Sequence, residues 1–227
     1  MSDYERYLRT DELLALQKPA GERVHRDELL FQVVHQSSEL WLRLIASETE
    51  TAAARIRAGD LAGAADLLQR AVLALRLLAE QLEMLERLSP RDYHVIRGAL
   101  GQGSGFDSPG FRELQRVASG IADAFAACCR EWSVSPADLY AAPERHHDAW
   151  RVAELLTDWD ERLGLWRVRH LKIVERLIGT DAVGTQGTPI ALLRELTTQR
   201  AFPALWQARS ELARRLRGAA GDGGTGS

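Results

Sequence analysis

The sequence is poor in several things, and each shortage narrows what the chain can be. No apolar run approaches the length of a membrane span, and the first residues, MSDYERYLRTDELL, carry acids early with no apolar leader core. A membrane protein and a secreted one are therefore not expected. Only two cysteines occur, adjacent at Cys128 and Cys129, where neighbouring residues cannot easily bridge each other and form no CxxC or metal-ligand spacing. They read as small core residues in a reducing compartment, the cytoplasm. Neither sign of charge dominates: 29 basic residues face 32 acidic ones for a net charge of −3. The basic residues are nearly all arginine and are scattered along the chain, so no nucleic-acid surface is indicated. No stretch alternates polar and apolar residues as a strand would.

What remains is helix. With 227 residues, 45% of them hydrophobic, the chain can bury one sizeable core. Thr10 with Asp11 and Glu12 starts a short amphipathic segment that ends near Lys18-Pro19. Apolar residues then recur at three and four from about Val24 to Ala58, a long helix that Gly59 stops. Asp60 caps a second, predicted to run from Leu61 to Leu88 and to pair antiparallel with the first. Ser89-Pro90 starts a short helix to about Leu100, and Ser108-Pro109 starts one to about Trp132. Ser135-Pro136 and Ala142-Pro143 punctuate a connector. A last long helix is expected over Glu144 to Ile178, with short ones from about Pro189 and Pro203. The expected fold is all-α, a bundle of long antiparallel helices in a single domain over 1–217, and 218–227 is a glycine-rich tail expected to be disordered.

Two other glycine-rich stretches, 101–110 and 179–189, lack the GK[ST] ending of a phosphate loop and follow no strand. The segment HRDEL at 25–29 is not the HExxH zinc pattern, and His146 and His147 are sequential, so they point in different directions on a helix. Two histidines lie on the apolar faces of long helices. In RDELLFQVVHQSSELW (26–41), Phe31 and His35 stack one turn apart, with Leu30, Val34 and Trp41 continuing the face and Glu39 among the polar positions around it. His170 occupies the matching place in the last long helix. A lone histidine in an apolar stripe reads as a core residue, but two facing into one bundle suit haem, one as iron ligand and the other lining the opposite side.

Six blocks then carry a resemblance: Tyr4-x-x-Tyr7-Leu8, FQVVHQSSELW at 31–41, Tyr93-x-x-x-Arg97, LGQGSGFDS at 100–108 with FRE at 111–113, LWRVRH at 165–170, and IGTDAVGTQGT at 178–188. In this order they resemble the tryptophan 2,3-dioxygenase family. The resemblance implies an all-α haem b enzyme, usually a homotetramer, that adds both atoms of O2 across the C2–C3 bond of the indole of L-tryptophan or a close aromatic analogue. It implies His170 as proximal iron ligand, with Trp166 and Arg169 setting its surroundings, and His35 on the distal side near the indole N–H. Phe31 would pack on the substrate ring, and Arg97 would hold its carboxylate with support from Tyr93. Ser104 and Thr185 would lie near the propionate or the amino and carboxylate groups. Tyr4, Tyr7 and Leu8 match a segment lent to a neighbouring subunit, which implies a homo-oligomer, tetramer or dimer.

The chain also departs from the pattern. Residues 131–145 replace a long helical excursion with little more than a connector. Asp107 stands where glutamine is usual, Ala182-Val183 stand where basic residues are common, and the second loop reads GTQGT in place of GTGGS. These differences leave two alternatives: a haem-dependent aromatic monooxygenase of secondary metabolism that makes an oxindole or hydroxylates tyrosine, and a non-enzymatic haem-binding or interaction protein.

Overall fold

In a computed structural model, residues 2–184, 187 and 189–222 are described. Among them the chain forms ten α-helices and three short 3-10 stretches, an all-α architecture as expected. Helices α1 (Asp3–Leu8) and α2 (Thr10–Leu14) form a short arm. The bundle consists of α3 (Glu28–Arg57), α4 (Leu61–Glu80), α6 (Pro109–Glu131) and α8 (His147–Ile178). Around it lie α5 (Pro90–Ala99), α7 (Pro136–Ala141), α9 (Ile190–Leu196) and α10 (Pro203–Asp222). No described helix is long and apolar enough to cross a membrane.

The stop and start signals act where they stand. Gly59 takes a φ of 77° to end α3, and the Asp60 carboxylate accepts from Gly63 N at 2.9 Å to begin α4. The two helices run antiparallel, with Ser37 bonded to Gln81 at one end and Glu48 to Arg70 at the other. Alanines and leucines of α3 and α4 interleave with Leu114, Ile121, Phe125, Leu156 and Trp159 of α6 and α8 in the main core. A second, smaller core gathers Val34, Leu82, Leu85, Leu88, Ile96, Ile173 and Leu177. Trp166 packs against both.

Five boundaries differ from the sequence reading, each for a physical reason. The first long helix begins at Glu28 and not near Val24, because the buried Glu28 carboxylate takes the Val24 N–H (2.8 Å) and the Lys18 ammonium (2.6 Å), folding the preceding chain back on itself. The second leaves α-geometry at Gln81 and continues as a 3-10 helix to Arg87. There the Gln81 amide is tied to Ser37 and Ser38 of α3. The 131–145 connector contains α7, begun by a reciprocal cap between Ser135 and Asp138. Helix α8 starts at His147, since the ring of His146 is stacked on Trp132 at 5.7 Å outside the helix. Helix α10 extends to Asp222, past the expected start of the tail at 218; residues 223–227 lie outside the described residues.

Candidate functional site

At the edge of the smaller core, side chains of α3, α5 and α8 gather around Phe31, Tyr93 and Trp166, the candidate cleft. Helix α3 presents Phe31 and His35 one turn apart, their ring centroids separated by 4.0 Å. The His35 Nδ1 lies 2.7 Å from the Phe31 carbonyl oxygen. A carbonyl only accepts, so Nδ1 carries the proton and the neutral ring keeps its lone pair on Nε2. His35 is exposed by surface area, yet enough protein surrounds it that burial lowers its pKa, partly opposed by the Phe31 carbonyl and the Glu39 charge.

His170 on α8 is held lower still, at about 4, by burial first and by the nearby His35 second. That the His170 ring feels His35 places the two near each other. The His170 ring lies 4.9 Å from Trp166 and within 7° of parallel to it, and Trp166 in turn packs on Phe111 of α6 at 4.4 Å. Both imidazoles are neutral at pH 7, as ligation requires. The indole N–H of Trp166 is buried and has no partner among the described residues. Also among them, no three His, Cys, Asp or Glu side chains gather as a protein-only metal centre. The donor set therefore fits a macrocycle that brings four of its own ligands and needs one neutral imidazole.

Helix α5 places Tyr93 and Arg97 on one face. Tyr93 is half-buried 6.2 Å from Phe31, and burial raises its pKa against the nearby Arg97 charge. Arg97 donates from Nη2 to the Val183 carbonyl at 2.6 Å, which ties α5 to the second glycine-rich segment and, among the described residues, leaves further guanidinium donors. Ser104 caps the short turn Gly105–Asp107: its hydroxyl accepts from Phe106 N at 3.3 Å, and the Asp107 carboxylate accepts from Ser104 N at 3.1 Å. The acid at 107 is thus used locally, to close its own turn. Arg169 pairs with Glu83 at 2.9 Å and Glu86 at 3.4 Å on the 3-10 stretch.

The structure thus brings Phe31, His35, Tyr93 and His170 together, with Arg97 reaching the neighbouring loop. It does not bring Tyr4, Tyr7 or Leu8 to the cleft of their own chain; they lie on α1, exposed by 69%, 87% and 45%. Thr185 lies outside the described residues. Two open concavities, about 480 and 610 Å³, flank α3 near Arg23, Leu29 and Val33, with neither histidine among their lining residues. Sequence reasoning gave no role to Phe111 or to the Glu39 carboxylate, which accepts from Ser108 and Gly110. Glu39 stands four residues after His35, the one signal that could have singled it out.

The profile of the family described as tryptophan 2,3-dioxygenase matches residues 1–120, which include His35, Tyr93, Arg97 and Ser104. A tryptophan 2,3-dioxygenase of Serratia proteamaculans is 32% identical over 261 aligned positions, covering 92% of this chain and 92% of the relative. One of Caulobacter vibrioides is 32% identical, covering 92% and 98%, and one of Kineococcus radiotolerans 33%, covering 92% and 91%. The 261 aligned positions exceed the 227 residues here, so that relative carries segments this chain lacks.

Proposed function

The chain belongs to the tryptophan 2,3-dioxygenase family, and from that membership we propose that it is a haem-dependent dioxygenase. It inserts both atoms of O2 across the C2–C3 bond of the indole of L-tryptophan to give N-formyl-L-kynurenine. The observation that carries this reading is the pair of neutral imidazoles, His35 and His170, on one cleft beside Phe31, Tyr93 and Arg97. The three relatives named above bear the dioxygenase name, and none of them favours single-oxygen insertion.

Each residue takes a role its chemistry suits. His170 would hold the haem iron, and the flat Trp166 stack keeps its ring from turning. Haem b supplies the dioxygen chemistry; the protein binds, orients and excludes water. His35 offers Nε2 as acceptor to the indole N–H, and Phe31 packs on the indole ring. Arg97 grips the carboxylate with its fork, and Tyr93 holds that side of the pocket closed. Ser104 and Thr185 serve the propionate or the amino and carboxylate groups. Holding ring and carboxylate at fixed points is how the site turns binding energy into orientation.

Tyr4, Tyr7 and Leu8, exposed in the single chain, complete the pocket of a second copy, so the working form is a homo-oligomer, a tetramer or dimer. One domain takes in all ten helices, α1 to α10. The buried, unpaired Cys128 and Cys129 suit a reducing cytoplasm.

The test uses haem-loaded protein, reduced without oxygen and mixed with L-tryptophan and O2. Mass spectrometry of the product is expected to show a gain of two oxygen atoms. A gain of one would overturn the dioxygenase reading in favour of a monooxygenase.

A further inference from the structure

One turn after His35 along α3, the half-buried Glu39 carboxylate makes contacts that none of the roles assigned above uses. Its Oε1 accepts from the Ser108 hydroxyl at 2.5 Å and its Oε2 from the Gly110 N–H at 3.0 Å. Both donors belong to the first turn of α6, where Ser108 is the capping residue and also accepts from Phe111 N. A carboxylate at that end meets unsatisfied N–H groups and the positive pole of the helix. The approach leaves no slack: a Cβ on Gly110 would stand 2.6 Å from Glu39 Oε2 and 2.8 Å from Leu42.

What α6 carries at this end matters to the cleft on both sides. Immediately before it is the turn that holds Ser104 and Asp107, with Arg112 bonded back to the Asp107 carbonyl at 2.8 Å. Immediately inside it is Phe111, which packs on Trp166, which stacks on His170. A continuous path of contacts therefore runs from the helix of His35, through Glu39 and the start of α6, to the ring behind His170.

We propose that Glu39 is a positioning residue for tryptophan binding, its carboxylate fixing the Ser104 turn and the Phe111–Trp166 pair in register with the helix that bears Phe31 and His35. The inference rests on the reading of the cleft as the tryptophan site. Glu39 touches no reacting atom and acts through Ser108 and Gly110. Glutamine can accept from Gly110 N–H and donate to the Ser108 hydroxyl, so it keeps the geometry and loses the charge that strengthens both contacts.

Two measurements on the full chain test this. In haem-free Glu39→Ala, hydrogen exchange at amides 104–112 should rise about tenfold, the loss of a hydrogen bond to a charged acceptor, while exchange in α4 stays unchanged. In haem-loaded protein the same change should raise KM for L-tryptophan about tenfold and leave kcat within about threefold, with Glu39→Gln intermediate. Ser108→Ala should mimic the effect, and adding it to Glu39→Ala should raise KM less than twofold further, since coupled residues are not additive. An unchanged KM with a lowered thermal midpoint, or independent addition of the two substitutions, would overturn the proposal and leave Glu39 as an ordinary packing contact. If the wild-type protein does not oxidise tryptophan, the functional reading fails, and the exchange measurement still decides whether Glu39 holds the turn.

Discussion

Asp160 is 1% exposed in the middle of α8 and carries the docking of the C-terminal segment. It accepts from Ala201 N at 2.9 Å, from Phe202 N at 3.3 Å and from the Trp206 indole N–H at 2.7 Å. These three donors lead into and begin α10. Arg167, one pair of turns further along α8, bonds the Leu196 and Gln199 carbonyls at 3.3 and 3.0 Å, so acid and base grip both sides of the same connector. Hydrogen bonds to a charged acceptor contribute about 1.5 to 3 kcal/mol each, and removing the acceptor leaves the donors unpaired. The half-buried surroundings of Ala201 and Trp206 let water recover part of this, which brings Asp160→Ala to a loss of about 4 kcal/mol. Against a total of about 5 to 15 kcal/mol, that is a large share. With a urea dependence of about 3 kcal/mol per molar, the unfolding midpoint of the haem-free protein should fall by about 1.3 M. Trp206→Phe, which removes one donor, should cost about 1.5 kcal/mol, and Asp160→Ala should cost less in that background. His170 stands about 15 Å further along the helix at 1.5 Å per residue, so haem loading of the folded variant should persist. A midpoint shift below about 0.3 M would refute the assignment of Asp160 as the anchor of α10.

Three further outcomes follow from the cleft. His170→Ala should abolish the five-coordinate ferrous haem spectrum, and a normal spectrum in that variant would remove His170 from the ligand role. Arg97→Ala should weaken L-tryptophan binding by tenfold to a hundredfold with haem retained, the loss of a charge-assisted contact to the carboxylate; equal affinity by spectral titration would defeat that role. In the haem-free protein, His170 titrates at about 4 when folded and near 6.5 when unfolded, so between those values the unfolded state binds more protons. Stability should therefore be at its full value above pH 6.5 and fall by up to about 3 kcal/mol as pH drops toward 4, and denaturant midpoints measured for His170→Asn should flatten that slope.

The parts of the fold that were legible in the sequence are the local ones. Gly59-Asp60, Ser89-Pro90 and Ser108-Pro109 each act within four residues of where they stand, so the ends they mark were readable from the chain alone. The boundaries that moved depend on partners far along the chain. Gln81 breaks α-geometry because of serines more than forty residues earlier, and Glu28 reshapes the approach to α3 through Lys18. Periodicity identified Phe31 and His35 as a stacked pair because they share one helix. The contact of Arg97 with Val183 and the approach of Glu39 to Gly110 join residues 86 and 71 positions apart, and no local pattern encodes either.

The Phe31 carbonyl that fixes the His35 tautomer is also the main-chain acceptor one turn before His35 in an α-helix. Its two lone pairs can serve the backbone amide and the imidazole at once. The choice of nitrogen is therefore made by helix geometry and not by neighbours brought in through folding. Substitutions elsewhere in the cleft, or the arrival of a substrate, need not shift that proton, so the reorganisation energy of presenting an open nitrogen is settled before any encounter. Imidazole nitrogen shifts of the haem-free protein should then show one tautomer across the neutral range, whether or not an indole is present.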